Sequence, residues 1–134
     1  MAKIHAGFSE LRTSHLQLVA AANGSQGPPA HLLRFYATEC GLKYAHLLRN
    51  RFRTTEQLGD LDHDLNLLIK NLKIPASAIG SPPALRLSRS KNESCPPSSA
   101  HQAWRYGVRI DAADEAGFIS WLQRICEVVV REYL

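Results

Sequence analysis

The segment 28–53 constrains the fold most, because it is the longest stretch of the chain with a clear helical pattern. It opens with two prolines, which the first turn of a helix accepts because the N–H groups there have no partner within the helix. At about 100° per residue, its apolar side chains share one stripe: Leu33, Tyr36, Ala37, Cys40, Tyr44, Leu47 and Leu48. The other side carries His46, Arg49 and Arg53. We therefore predict a helix that buries the stripe and leaves its basic side accessible.

Apolar residues at helical spacing predict further helices on both sides of this segment. No segment shows the alternation of apolar and polar residues that is typical of a strand. The last helix carries an apolar stripe broad enough to pack against a second subunit. The helices are expected at about residues 2–22, 62–72 and 101–106, and from Asp111 onward. The predicted fold class is all-α, with four long helices and a short extra helix.

A proline- and serine-rich connection is predicted over 75–99, within a single domain that spans 1–134. A loop of this length inside a compact domain is usually either functional or disordered. Its sizeable apolar residues are only Ile79, Leu85 and Leu87. The sequence leaves three alternatives open: the segment docks on the helices, becomes ordered on binding, or stays in solvent.

Composition limits the compartment and the chemistry. The chain has 134 residues and a formal net charge of +4, which permits nucleic-acid binding without requiring it. Its three cysteines show no C-x-x-C spacing, which favours reduced thiols and a cytoplasmic location. The sequence has neither a run long enough to span a membrane nor the pattern of a secretory signal. Because phosphate-binding glycine loops and zinc motifs are also lacking, no cofactor or metal is predicted.

Three segments occur in an order that resembles the HEPN domain (higher eukaryotes and prokaryotes nucleotide-binding). They are 36–48 (YATECGLKYAHLL), 63–65 (HDL) and 104–106 (WRY), the last of which precedes an amphipathic helix. The resemblance covers about 30–72 and 100–134. It implies an up-and-down bundle of four helices that commonly forms dimers. It also implies a link to RNA, within a toxin–antitoxin or antiviral defence assembly.

The chain departs from catalytic members of that family. Those members resemble one another in having an arginine followed, after four to six residues, by a histidine. Here Arg12 and His15 are too close, and His63 lies too far beyond Arg53. No histidine follows Arg105. The resemblance therefore implies the non-catalytic branch of the family.

The candidate ligand-binding residues combine cations, a carboxylate, a histidine and a tyrosine. Lys43 and Glu39 form either an ordinary i, i+4 ion pair or a cation held ready for phosphate. Arg105 and its aromatic neighbours suit a nucleotide, but the aromatics could equally belong to the core. The full candidate set is Glu39, Lys43, Arg49, Arg53, His63, Arg105 and Tyr106.

Three functional hypotheses follow. The first is a non-catalytic RNA- or nucleotide-binding subunit that forms a homodimer or joins a protein complex. The second is an endoribonuclease with a non-standard site, in which His63 and Arg105 would be the catalytic residues. The third is a subunit that binds only proteins, as part of a larger effector complex.

Overall fold

The computed structural model describes residues 4–61 and 64–134, and this part of the chain is mostly helical. It contains six α-helices and one antiparallel sheet of two strands. In chain order these are α1 (Phe8–Asn23), α2 (Gly27–Asn50), α3 (Leu65–Asn71), α4 (Ala76–Ile79), β1 (Leu85–Leu87), β2 (Ser90–Cys95), α5 (Ala100–Tyr106) and α6 (Ala112–Tyr133). Short 3₁₀ turns occupy Thr55–Leu61 and Pro97–Ser99. The predicted predominance of helix is therefore confirmed.

Helix α2 is the centre of the fold, since α1, α3, α5 and α6 all pack against it. Because neighbours cover several of its sides, the prediction of a single buried stripe is wrong in two places. His46 was predicted on the accessible side, but it is only 2% exposed, and its Nε2 donates to the Leu68 carbonyl oxygen of α3 at 2.9 Å. Leu48 was predicted in the core, but its side chain is exposed.

Local hydrogen bonds fix where the helices begin. The Asp64 carboxylate accepts hydrogen bonds from the backbone N–H groups of Asn66 and Leu67, so α3 begins later than predicted. The Asp111 carboxylate accepts from the backbone N–H of Asp114, which places the start of α6 close to the prediction. Helix α1 also begins later than predicted, at Phe8.

The segment 75–99 contains a helix and a hairpin, neither of which was predicted, within a fold that is consistent with the predicted all-α class. Leu85 pairs with Cys95, and Leu87 pairs with Ser90 after a register shift. The apolar residues Ile79, Leu85 and Leu87 are all buried in the main core. These three side chains thus pack the segment against the helices.

The hairpin is also bonded to the start of α6. Leu87 forms an antiparallel bridge with Ile110, and the Ser88 N–H donates to the Arg109 carbonyl oxygen at 2.9 Å. The guanidinium of Arg86 lies 3.0 Å from the Asp114 carboxylate, which also accepts the backbone N–H of Arg86. Residues far apart in the sequence therefore hold the hairpin against the helices.

Aromatic rings link α5 and α6 in the main core. Phe118 stacks on Trp104 at 5.7 Å and on Trp121 at 5.6 Å, between ring centroids. The indole N–H of Trp104 donates to Glu115 at 2.9 Å. Trp104 is therefore a core residue, which is one of the two alternatives that the sequence left open.

Within the described residues, no helix has both the length and the hydrophobicity that crossing a membrane requires.

Candidate nucleic-acid interface

Glu39 and Lys43 form an ion pair on α2 that is largely buried. The Lys43 ammonium lies 3.6 Å from the Glu39 carboxylate, and the two side chains are 11% and 18% exposed. Both act on the neighbouring Cys40 thiol, whose pKa is raised to about 11. Burial is the main cause, the Glu39 charge adds to the increase, and the Lys43 charge opposes it. The pair therefore lies inside the helix packing, with little of either charge open to a ligand.

Arg49 and Arg53 lie at the C-terminal end of α2. The Arg49 guanidinium donates to the carbonyl oxygen of Leu72, at the end of α3, where helix carbonyls lack partners within the helix. Arg53 lies beyond the end of α2 and is exposed. His63 lies outside the described residues, so the structure does not test its predicted roles.

Arg105 and Tyr106 lie near the other end of α2. Their helix, α5, places the rings of His101 and Trp104 against Phe35 and His31 in the N-terminal half of α2. Because an α-helix rises 1.5 Å per residue, Arg49 lies roughly 27 Å further along α2 than His31. Arg49 and Arg53 therefore lie far from Arg105 and Tyr106, and the Glu39–Lys43 pair lies between them along α2.

The group at α5 includes two arginines that were not among the sequence candidates. We define the basic face as Arg89, Arg105, Tyr106 and Arg109, all of which are exposed. Tyr106 is 71% exposed, and the guanidinium carbon of Arg105 lies 5.5 Å from the centre of its ring. An exposed aromatic ring beside guanidinium groups is an arrangement that can stack on a base and contact phosphate.

Two shallow cavities meet at this face and share Arg89 and Val108 among their lining residues. The first, of about 370 Å³, lies between the hairpin and α5, and both Gln102 and Tyr106 line it. The second, of about 470 Å³, lies between Arg89 and Arg109. No acidic side chain lines either cavity in the part of the chain that the structure describes. The concave surface therefore combines apolar walls with positive charge.

A tight turn brings the two sides of the basic face together. Gly107 ends α5 at φ +75°, a left-handed conformation that glycine adopts without the strain a side chain would cause. The Val108 N–H then returns to the Ala103 carbonyl oxygen at 2.9 Å. The chain after this turn runs beside the hairpin, so that Arg109 comes near Arg89 across one cavity.

No family model, curated protein or solved structure matches this chain. The described residues also contain no group of three or more His, Cys, Asp or Glu side chains that could hold a metal ion.

The three cysteines are free: Cys40, Cys95 and Cys126. Burial raises the pKa of the Cys95 thiol, which lines the first cavity, so this thiol is neutral near pH 7 and leaves the positive charge of the face intact.

The basic face differs in kind from the region around Glu39, Lys43 and Arg49. There, each charged group is paired with another group of the chain. On the basic face, Arg89 pairs with Glu93 at 3.0 Å, but both side chains are at least half exposed. Exposed ion pairs are weak and exchange readily with solvent, so Arg89 can be drawn to a phosphate.

Proposed function

We propose that this chain is a non-catalytic RNA- or nucleotide-binding protein that holds unpaired bases on the basic face. One observation carries the proposal: the Tyr106 ring is 71% exposed and lies beside the Arg105 guanidinium, at the edge of cavities rimmed by Arg89 and Arg109. A tyrosine that served only the core would not leave most of its ring in solvent.

The chemistry of the face favours single strands. A base can stack on Tyr106 only when its own face is not covered by a pairing neighbour in a duplex. Stacking of a base on an aromatic side chain contributes about 1–3 kcal/mol and depends little on sequence. The arginines would contact the phosphates on either side of the stacked base, and Gln102 offers an amide to the base edge.

The broader reading rests on the family resemblance. We propose a HEPN-like four-helix bundle that acts in the cytoplasm, as a homodimer or as a subunit of a toxin–antitoxin or antiviral defence assembly. The mostly helical fold supports this reading. Arg105 and Tyr106 belong to the basic face, whereas the binding roles of Glu39, Lys43, Arg49, Arg53 and His63 stay predictions.

Binding of a short fluorescent oligouridylate, measured by anisotropy, tests the proposal. Tyr106→Ala should weaken binding by about 5- to 150-fold, which corresponds to the loss of one stacked base. Arg105→Gln should weaken binding and reduce the dependence of log K on log salt by about 0.7, the loss of one phosphate contact on a single strand. Arg12→Gln on α1, an exposed arginine away from the basic face, is the matched control and should leave affinity unchanged.

Equal affinity of all three variants and the original chain would overturn the proposal. Two further outcomes would favour the alternatives instead. Cleavage of total RNA in EDTA that is lost in His63→Ala and Arg105→Gln would indicate an endoribonuclease. Co-purification of a stoichiometric protein partner, without nucleic acid, would indicate a protein-binding subunit.

A further inference from the structure

A second concave surface lies between α1 and α6, which both pack against α2. We call it the α1–α6 groove; its volume is about 610 Å³. Leu16 and Val19 of α1 face Val130 of α6 across it. Leu16 is 42% exposed and Val130 is 51% exposed, so the apolar walls are open to solvent. This volume lies within the range of about 300–1,000 Å³ that is usual for small-molecule sites.

His15 places an unpaired polar atom at this groove. Its side chain is 1% exposed, and its Nδ1 donates to the Ala37 carbonyl oxygen at 2.7 Å. Nε2 is buried and has no hydrogen-bond partner among the described residues. In the neutral ring, with the proton on Nδ1, Nε2 carries a lone pair and acts as an acceptor. His15 lines the groove, so this buried, unpaired acceptor belongs to a residue of the groove wall.

The closeness of the ring to α2 depends on Gly41. A Cβ atom at position 41 would lie 2.8 Å from Nδ1 and 2.9 Å from Cε1 of His15. This edge of the ring therefore faces α2, and the unpaired Nε2 belongs to the remaining edge. The packing of α1 on α2 thus leaves Nε2 on the edge of the ring that does not contact Gly41.

Charged groups at the groove favour an anion. Arg34 and Arg131 both line it, together with a single acidic residue, Glu127. The Arg34 guanidinium donates one N–H to the Asn23 side-chain oxygen at 3.0 Å. Its other N–H groups can donate to a ligand. The buried Cys126 thiol beside them has a raised pKa, chiefly because of desolvation, and is therefore uncharged at neutral pH.

We propose that the α1–α6 groove binds a small apolar molecule that carries an anionic group and an N–H or O–H donor. The anion would contact Arg34, the apolar body would pack on Leu16 and Val130, and the donor would bond to Nε2 of His15. A partner that presented only an apolar face would leave the His15 acceptor unpaired. The observations therefore favour a small ligand over a docked helix.

The probe for this site is 8-anilinonaphthalene-1-sulfonate, which combines apolar rings, a sulfonate and an anilino N–H. A fluorescence titration should show one site per chain. Arg34→Gln should weaken binding by about tenfold, as expected for the loss of a charge-assisted hydrogen bond, and Val130→Asp should weaken it at least as much. Arg124→Gln, on α6 but outside the groove lining, is the matched control and should bind like the original chain.

Nitrogen NMR of the histidine rings provides a readout that does not depend on altering His15. Saturation with the probe should shift the Nε2 resonance of His15, because that atom gains a hydrogen bond. The proposal is overturned if Arg34→Gln and Arg124→Gln bind the probe equally, or if the His15 resonances do not move. It is also overturned if sedimentation of the ligand-free chain shows a dimer that Val130→Asp dissociates, since a second copy would then cover the groove.

Discussion

His46 is a buried titratable side chain that joins α2 to α3. Its Nε2 donates to the Leu68 carbonyl oxygen, and almost none of the side chain reaches solvent. Burial lowers the pKa of His46, and the nearby positive charge of Arg49 lowers it further, whereas the bond to Leu68 opposes the decrease. The folded chain therefore favours the neutral ring.

This pKa predicts a loss of stability in mild acid. Below the unfolded-state pKa of about 6.5, the unfolded chain takes up a proton that His46 in the folded chain does not, so the free energy of unfolding falls by up to about 1.4 kcal/mol per pH unit. The stabilisation by the neutral His46 ring is fully present above the unfolded-state pKa. It is lost as the pH falls towards the lower pKa of the folded state. The free energy of unfolding can be measured with urea at several pH values. Its slope against pH should be smaller for His46→Gln, because that variant lacks the titrating ring.

The other histidines are the same in both chains, so the difference between the two slopes isolates His46. Equal slopes would mean that His46 titrates alike in the folded and unfolded states, contrary to its burial.

An ion pair joins the hairpin to α6. Arg86 of β1 contacts Asp114 of α6 through both its guanidinium and its backbone N–H. The same hairpin carries a second ion pair, between Arg89 and Glu93, that stays within the hairpin and is more exposed. The two pairs therefore allow a comparison between a contact that docks the hairpin and one that does not.

We expect Arg86→Met to loosen the hairpin while keeping the backbone bond to Asp114. The methionine retains an apolar stem but removes the ion pair to α6. Hydrogen exchange of the amides at 85–95 should become faster, and trypsin should cleave sooner after Arg89. Glu93→Gln, which removes the exposed ion pair within the hairpin, should change neither rate appreciably. If both variants exchange alike, the Arg86–Asp114 contact does not hold the hairpin.

The longer helices were predictable from the sequence, but the hairpin and the short helix α4 were not. Helical spacing of apolar residues identifies α1, α2 and α6 because each repeats over several turns. Strand β2 reads SKNESC and has no apolar alternation, and β1 is only three residues long. What pairs and docks them are Ile110 and Asp114, whose proximity depends on tertiary structure.

The same reason explains what was missed at the candidate site. Arg105 and Tyr106 are neighbours in the sequence, so local reasoning could select them. Arg89 and Arg109 join them only because the hairpin docks beside the turn at Gly107. The signal that could have found them was the return of basic charge after residue 85, on both sides of the exposed aromatic. Burial of His46 likewise required knowing that α3 covers that side of α2.

The stack of Trp104, Phe118 and Trp121 lies in the main core, to which β1 and all the helices from α2 to α6 contribute. Phe118 is fully buried between the two indole rings. The centre of its ring also lies 6.5 Å from the centre of the Phe35 ring of α2. The stack therefore connects three helices, and its loss should affect the stability of the entire fold.

Phe118→Ala should lower the free energy of unfolding by about 3–5 kcal/mol, because it removes a buried ring and leaves a cavity. That is a large share of the roughly 5–15 kcal/mol that stabilises a typical domain. Urea unfolding followed by tryptophan fluorescence measures it. Phe8→Ala, at a half-exposed ring on α1, should cost far less, and a similar loss from both variants would contradict the central place of the stack.

The bond between the hairpin and the start of α6 also bears on how the chain matures during synthesis. The contacts between α1 and α2 are close in sequence, so this pair can form as soon as both helices have left the ribosome. The contacts of the hairpin with Ile110 and Asp114 can form only after those residues have left the ribosome. The basic face is therefore completed only after the start of α6 has emerged.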